Sequence, residues 1–185
     1  MDTVNVSVSN EMLAAYEFAY ENKITEKQTV TEAKVDKPIK RNELAKMLTE
    51  YAVNVMWMEP EEWKAGCESF NDTKRESPEM KWYMKSACEL WLMWLESDWI
   101  TVANHFDPNK SVTRAEFGTT LSRLLYGWVN NLHDDLDRRN NEWYEKHLRA
   151  LQDNGIMTQV SWEWVKKIEL RWYVMLMLMR TSQEK

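Results

Sequence analysis

Glycine is scarce in this sequence of 185 residues, which has 4 glycines and 11 tryptophans. An average composition would give about 13 glycines in a chain of this length. Glycine is the residue that adopts a left-handed backbone without strain, so few positions are suited to tight turns. The tryptophans that lie in turn-like sequences are therefore the unusual feature of the composition.

Other shortages exclude several classes of protein. The formal charge of -6 provides no excess of positive charge, which argues against a nucleic-acid-binding surface. The longest apolar run, residues 173–179, is far shorter than the roughly 20 residues that span a bilayer, and it predicts a buried core helix. The first residues contain no secretory signal. We therefore expect either a cytosolic protein or a fragment of a longer exported one.

Residues typical of catalytic and metal sites are also sparse. The histidines are widely spaced and lack a metal-binding pairing; they are His105, His133 and His147. The acidic cluster Asp134, Asp135 and Asp137 is either a weak calcium site or, as we favour, a solvated loop. No phosphate-binding loop is present. We expect no enzymatic activity, no metal and no cofactor.

Three segments of the chain can be aligned, which indicates internal repeats. Residues 39–48 match residues 112–121 without a gap, and residues 171–180 form a weaker third copy. An apolar helical pattern precedes each copy, at residues 16–25, 83–93 and 147–157. Ser77 before Pro78 and the pair Thr113 and Glu116 predict helix starts. The prediction is an all-α chain of three helix–loop–helix repeats with long loops, at about 10–56, 67–126 and 142–181.

The best-defined motif runs from Phe106 to Phe117 and reads F-D-P-N-K-S-V-T-R-A-E-F. It resembles the signature of the S-layer homology domain, an F-x-P turn followed by I-T-R-A-E-F at the start of a helix. The resemblance covers about residues 10–181 and is strongest in the middle repeat. It implies a pseudo-trimeric helical bundle, a bacterial cell-wall or S-layer location and binding to a cell-wall polysaccharide.

The same resemblance nominates binding residues. In such domains the arginine of the T-R-A-E motif lines grooves between repeats, where it meets an acidic sugar. By position these arginines are Arg114, which has the best motif match, then Arg41, then Arg171. A guanidinium offers a planar fork of donors that fits a carboxylate. The alternative is that each arginine pairs with a nearby acidic residue and ties a loop to a helix.

The expected function is therefore non-catalytic anchoring at the cell surface through a wall glycan. The alternative is a helical scaffold for protein–protein interaction within a surface layer, with other surface-layer proteins as partners. No nucleic acid and no membrane span are expected in either case.

Cys67 and Cys88 are the only cysteines. In an exported protein an even pair of cysteines favours a disulfide. This bond would tie the helix that starts at Ser77–Pro78 to the loop that precedes it. A cytosolic chain would keep both thiols reduced. We favour the disulfide.

The alignment of the repeats places some tryptophans where glycine or a turn is expected. Trp91 falls on Gly155, the residue that ends the helix in its own copy, and Trp94 and Trp99 lie in turn-like sequences. We hypothesise that many tryptophans are glycines, because the source reads UGA as glycine. The two residue types together number 15, close to the roughly 13 glycines expected. The alternative is a genuine tryptophan-rich surface that stacks on sugars.

Overall fold

The structure is a computed structural model that describes residues 9–60, 66–68, 70–93, 102–132 and 139–183. Within these ranges the chain is helical and forms no sheet, which confirms the all-α prediction. We number the helices α1 (Asn10–Glu21), α2 (Val30–Ala33), α3 (Arg41–Asn54), α4 (Pro78–Glu89), α5 (Arg114–Tyr126), α6 (Glu145–Asp153), α7 (Trp162–Val165) and α8 (Arg171–Gln183).

The helix starts follow the capping residues in the sequence. The Ser77 hydroxyl accepts a hydrogen bond from the Met80 backbone N–H before α4, and Pro78 occupies the first helical position. At α5 the Glu116 N–H donates to the Thr113 hydroxyl, and the Thr113 N–H donates to the Glu116 carboxylate at 2.8 Å. Both arrangements satisfy backbone donors that a helix leaves unpaired at its start.

The long helices pack as three pairs. α3 packs on α4, α5 packs on α6, and α8 packs on α1. Each pair joins the closing helix of one aligned segment to the leading helix of the next, and α8 with α1 completes the cycle. The α5–α6 contact is close at Gly118, where a Cβ atom would lie 2.1 Å from Leu148 Cδ2. A larger residue at that position would force the two helices apart.

A ring of backbone hydrogen bonds joins the segments that precede α3, α5 and α8. The Val112 N–H donates to the Ile39 carbonyl, the Ile39 N–H to the Glu169 carbonyl, and the Glu169 N–H to the Val112 carbonyl, at 2.8–3.1 Å. All three residues are buried. Because each donor is also an acceptor, the three segments close on one another and fix the relative positions of the three helices.

The apolar run near the C-terminal end of the described chain lies in the core. Residues 174–178 of α8 are buried on every side, including Met175 and Met177. The prediction of a core helix is therefore confirmed. None of the described helices combines the length and apolar character that crossing a bilayer requires.

The leading helices end alike, with a residue in the left-handed backbone region. These residues are Lys23 after α1 (φ 60°), Trp91 after α4 (φ 60°) and Gly155 after α6 (φ 69°). The residue that follows each of them donates its N–H to a carbonyl five positions earlier, as Leu92 does to Ala87 at 3.1 Å. The alignment of Trp91 with Gly155 thus coincides with a shared backbone conformation.

A disulfide fixes the loop before α4. Cys67 and Cys88 are joined, with Cα atoms 5.7 Å apart, and both residues are buried. The bond ties residues 66–68 to the last turn of α4, the two elements that the sequence suggested it would connect.

Candidate ligand-binding grooves

The three candidate arginines occupy equivalent places, each as the first residue of its helix. Arg41 begins α3, Arg114 begins α5 and Arg171 begins α8. The backbone N–H of each arginine donates to a carbonyl of another segment. The Arg41 N–H, for example, donates to the Lys110 carbonyl at 3.0 Å. The arginine backbones thus form part of the ring, and each side chain reaches a carboxylate of another segment.

Arg41 and Arg171 make the same kind of ion pair. The Arg41 Nη2 lies 2.8 Å from Glu116 Oε1, and the Arg171 Nη2 lies 2.5 Å from Glu43 Oε1. The second carboxylate oxygen of each glutamate accepts a backbone N–H at the start of the helix that contains that glutamate. The donor is the Thr113 N–H for Glu116 and the Lys40 N–H for Glu43. Burial raises the pKa of Glu116, but these hydrogen bonds outweigh burial and lower its pKa overall. One carboxylate therefore caps its helix and also binds an arginine from another segment.

Arg114 departs from this arrangement because its neighbouring segment has Tyr173 where the others have glutamate. Its guanidinium instead makes a two-pronged ion pair with Glu169, at 2.8 and 2.9 Å, and donates to the Gln159 side chain and carbonyl. The Tyr173 ring centroid lies 4.7 Å from the guanidinium carbon. Burial lowers the pKa of Arg114, but the bonds and charge of Glu169 outweigh burial and raise it overall.

The arginines therefore differ in what they can offer a ligand. Arg114 is 5% exposed and uses four of its five N–H donors within the protein. Arg171 donates only to Glu43 and to the Lys34 carbonyl among the described residues. Its other three N–H donors have no partner among these residues. Arg41 donates to Glu116 and also to Asp107, at 3.1 Å.

A separate groove lies beside each arginine. The Arg171 groove has a volume of about 770 Å³, the Arg41 groove about 250 Å³ and the Arg114 groove about 200 Å³. Aligned positions line all three grooves, since Glu43, Glu116 and Tyr173 are the corresponding residues. The structure thus places the predicted arginines in three corresponding grooves and does not bring them together into one site.

The Arg171 groove is the largest and has a charged rim over an apolar floor. Four basic residues line it, Lys27, Lys34, Lys46 and Arg171, together with three glutamates, Glu26, Glu32 and Glu43; the buried Met47 and Met175 form its apolar part. Lys46 binds Glu26 and Glu79, each at 3.1 Å. Burial lowers the pKa of Lys46, but both carboxylates raise it and prevail. Such a groove suits a ligand with an acidic group and an apolar ring face.

Two kinds of residue near the candidate grooves were missed in the sequence. The carboxylate partners Glu43 and Glu116 follow their own helix's arginine by two positions, and that spacing was a usable signal. The second kind is a lysine four residues before each arginine, at Lys37, Lys110 and Lys167. This spacing was also visible, but only after the three segments had been aligned.

The remaining candidates for chemistry are placed as follows. His147 is fully buried and its Nδ1 lies 3.0 Å from the Ser122 hydroxyl, whereas His105 is exposed. Burial, with a smaller effect from the charge of Arg123, lowers the pKa of His147 to about 4. Across the described ranges no three histidine, cysteine, aspartate or glutamate side chains converge to hold a metal ion. The predicted acidic loop at Asp134, Asp135 and Asp137, His133, Trp94 and Trp99 lie outside the described residues.

Comparison with known proteins adds no relative. No family model matches the chain, and a search of curated proteins finds no match.

Proposed function

We propose that this chain is a non-catalytic cell-surface module that binds an acidic cell-wall polysaccharide in its inter-helix grooves. The observation that carries the proposal is the placement of three equivalent arginines, each in its own groove and each at the start of a helix. The motif from Phe106 to Phe117 resembles the S-layer homology signature, and the closed ring of three segments is in keeping with a pseudo-trimeric repeat module.

The Arg171 groove is the preferred site in this proposal. It has the largest volume, and Arg171 has more unused donors than Arg114. A carboxylate on a sugar would accept two N–H bonds from this guanidinium while its ring covered the methionine floor. Arg41 serves the second groove in the same manner, and Arg114 mainly shapes the third.

An extracellular location accompanies this proposal. The Cys67–Cys88 disulfide supports it, because disulfides persist in oxidising compartments.

Sedimentation with purified cell walls of the source organism tests the function. Wild-type protein should pellet with intact walls and should stay in solution after the acidic polymer has been extracted. Arg171→Ala should weaken binding about 10- to 100-fold, the effect of losing a charge-assisted hydrogen-bond pair. Arg171→Lys should recover only part of the affinity, since an ammonium lacks the two-pronged geometry.

Arg75→Ala is the matched control, because Arg75 is an exposed arginine outside all three grooves. Equal losses in Arg171→Ala and Arg75→Ala would mean that binding depends only on overall charge. Failure of the wild-type protein to bind any wall preparation from its own source would reject the proposal.

The second candidate function is a protein-binding scaffold within a surface layer. It goes with the alternative of a genuine tryptophan-rich surface, and it is favoured by large exposed aromatic side chains, notably Trp57 at 85% and Trp162 at 77% exposure. Exposed side chains of this size are common at protein interfaces. Capture of a surface-layer protein that persists after removal of the wall polymer would favour the scaffold over the anchor.

A further inference from the structure

A second charged surface adjoins the grooves. The segments that form the backbone ring, residues 34–41, 107–114 and 164–171, contain nine basic and three acidic residues, although the chain as a whole has a net charge of -6. Six of the basic residues are exposed lysines, which we call the lysine rim: Lys34, Lys37, Lys40, Lys110, Lys166 and Lys167. The ring places lysine-containing segments from distant parts of the sequence next to one another.

Three rim lysines occupy equivalent positions. The carbonyls of Lys37, Lys110 and Lys167 each accept the N–H of one motif arginine, at 2.9–3.1 Å. Their backbones are therefore fixed at corresponding points around the ring. None of these three side chains lines an arginine groove, so this surface can be altered without removing a groove wall.

Some rim side chains are also held in place. The Lys40 Nζ donates to the Asn109 side chain at 3.1 Å, and the Lys167 Nζ lies 3.7 Å from the Trp164 ring centroid. The ion pair of Lys37 with Asp36 is exposed, and such pairs contribute little. The Lys110 Nζ lies 3.9 Å from Glu116 Oε1, which is too far for a hydrogen bond. A ligand anion can therefore compete for these ammonium groups at low cost.

We propose that the lysine rim binds the repeated phosphate groups of a linear, phosphate-bearing wall polymer. None of the three grooves has any of the three equivalent lysines in its lining, so these lysines lie on the open surface beside the grooves. A polymer can contact several lysines at once and release counterions at each contact. This inference rests on the proposed function, because it assigns the rim to the wall polymer that the grooves also contact.

Long-chain inorganic polyphosphate is the probe, since it carries the charge without any sugar for the grooves. Six contacts predict a slope near -4 when log affinity is plotted against log salt concentration, taking about 0.7 per phosphate as for single-stranded nucleic acid. The triple variant Lys37→Gln, Lys110→Gln, Lys167→Gln should reduce the slope to about -2 and weaken binding at least ten-fold at low salt. Millimolar orthophosphate should not compete.

The control is Lys74→Gln, Arg75→Gln, Lys81→Gln, which removes the same charge from three exposed residues near the start of α4. The control should keep the wild-type slope. Equal losses in both triple variants, or no binding of polyphosphate by the wild-type protein, would overturn the proposal. Tighter binding to phosphatidylglycerol vesicles than to polyphosphate would assign the rim to a membrane surface instead and would equally overturn it.

The outcome is separable from that of the proposed function. Arg171→Ala should impair binding to walls but leave polyphosphate binding unchanged. The lysine triple variant should bind polyphosphate at least ten-fold more weakly yet still bind short sugar-acid fragments of the wall.

Discussion

Trp57 allows a direct test of whether glycine belongs at the left-handed turns of this fold. Its φ of 59° lies in the left-handed region and its side chain is 85% exposed, so the ring contributes little packing. We predict that Trp57→Gly stabilises the protein whereas Trp57→Ala does not. Alanine is the informative comparison, because it removes the indole but keeps the Cβ atom that strains this backbone conformation.

The magnitude follows from two opposing effects. A left-handed backbone costs a residue with a Cβ roughly 1–2 kcal/mol. Glycine avoids that cost but loses about 0.5–1 kcal/mol of additional chain entropy on folding. The free energy of unfolding of Trp57→Gly should therefore exceed that of Trp57→Ala by about 0.5–1 kcal/mol. Trp91 is less suitable for this test, because its ring lies 5.1 Å from that of Trp128 and packing would also change.

Urea unfolding followed by far-UV circular dichroism measures these differences without relying on tryptophan fluorescence. Trp82 is the control, since it is half exposed in the interior of α4. There alanine should be more stable than glycine by about 1 kcal/mol, the reverse of the order at Trp57. The reasoning fails if glycine is no better than alanine at Trp57. The hypothesis of misassigned codons fails separately if the Trp57 and Trp91 codons are UGG.

Three further predictions concern stability. Reducing the disulfide, or replacing Cys67 and Cys88 by serine, should lower the free energy of unfolding by about 3 kcal/mol, as expected for a loop of 21 residues; an unchanged urea midpoint would contradict this. The pKa of His147 is about 4 when folded and about 6.5 when unfolded, so only the unfolded chain gains a proton between these values and stability falls as the pH falls. The loss should be roughly 2 kcal/mol from pH 7 to pH 5, and His147→Gln should remove that part of the slope. Arg114→Ala should cost about 3–5 kcal/mol in urea unfolding, because it leaves Glu169 buried without its partner; a cost below 1 kcal/mol would show that the pair is not structural.

The sequence predicted the starts of α4 and α5 because these starts are determined locally. Ser77 and Thr113 are short polar caps whose effect does not depend on distant residues. Which helices pack on one another could not be predicted from such local signals. An alignment shows that α4 and α6 are equivalent but not that each packs on the closing helix of the preceding segment. That choice depends on how the whole ring closes, and it involves contacts between residues more than a hundred positions apart, such as Ile39 and Glu169.

The candidate site was predictable in part for a similar reason. The motif located Arg41, Arg114 and Arg171, and the structure places each of them beside a groove. How well each segment matches the motif did not indicate how many N–H donors of its arginine would be left for a ligand. The acceptors belong to a different segment, so an arginine's own neighbours in sequence say little about its partners in space.

Because an arginine and its acceptors lie in different segments, the segment with the best motif match can contain the arginine that is least accessible to a ligand. Arg114 comes from the segment with the best match, but it faces the segment with the weakest, where Tyr173 replaces glutamate and the buried Glu169 binds the guanidinium instead. Arg171 comes from that weakest segment, yet it faces Glu43, which takes one bond and leaves the groove open. In a closed ring of three segments, a change in one segment therefore alters the groove of its neighbour. Tyr173→Glu should accordingly change ligand binding in the Arg114 groove, which Tyr173 lines, and leave wall binding through the Arg171 groove unaltered in the sedimentation assay.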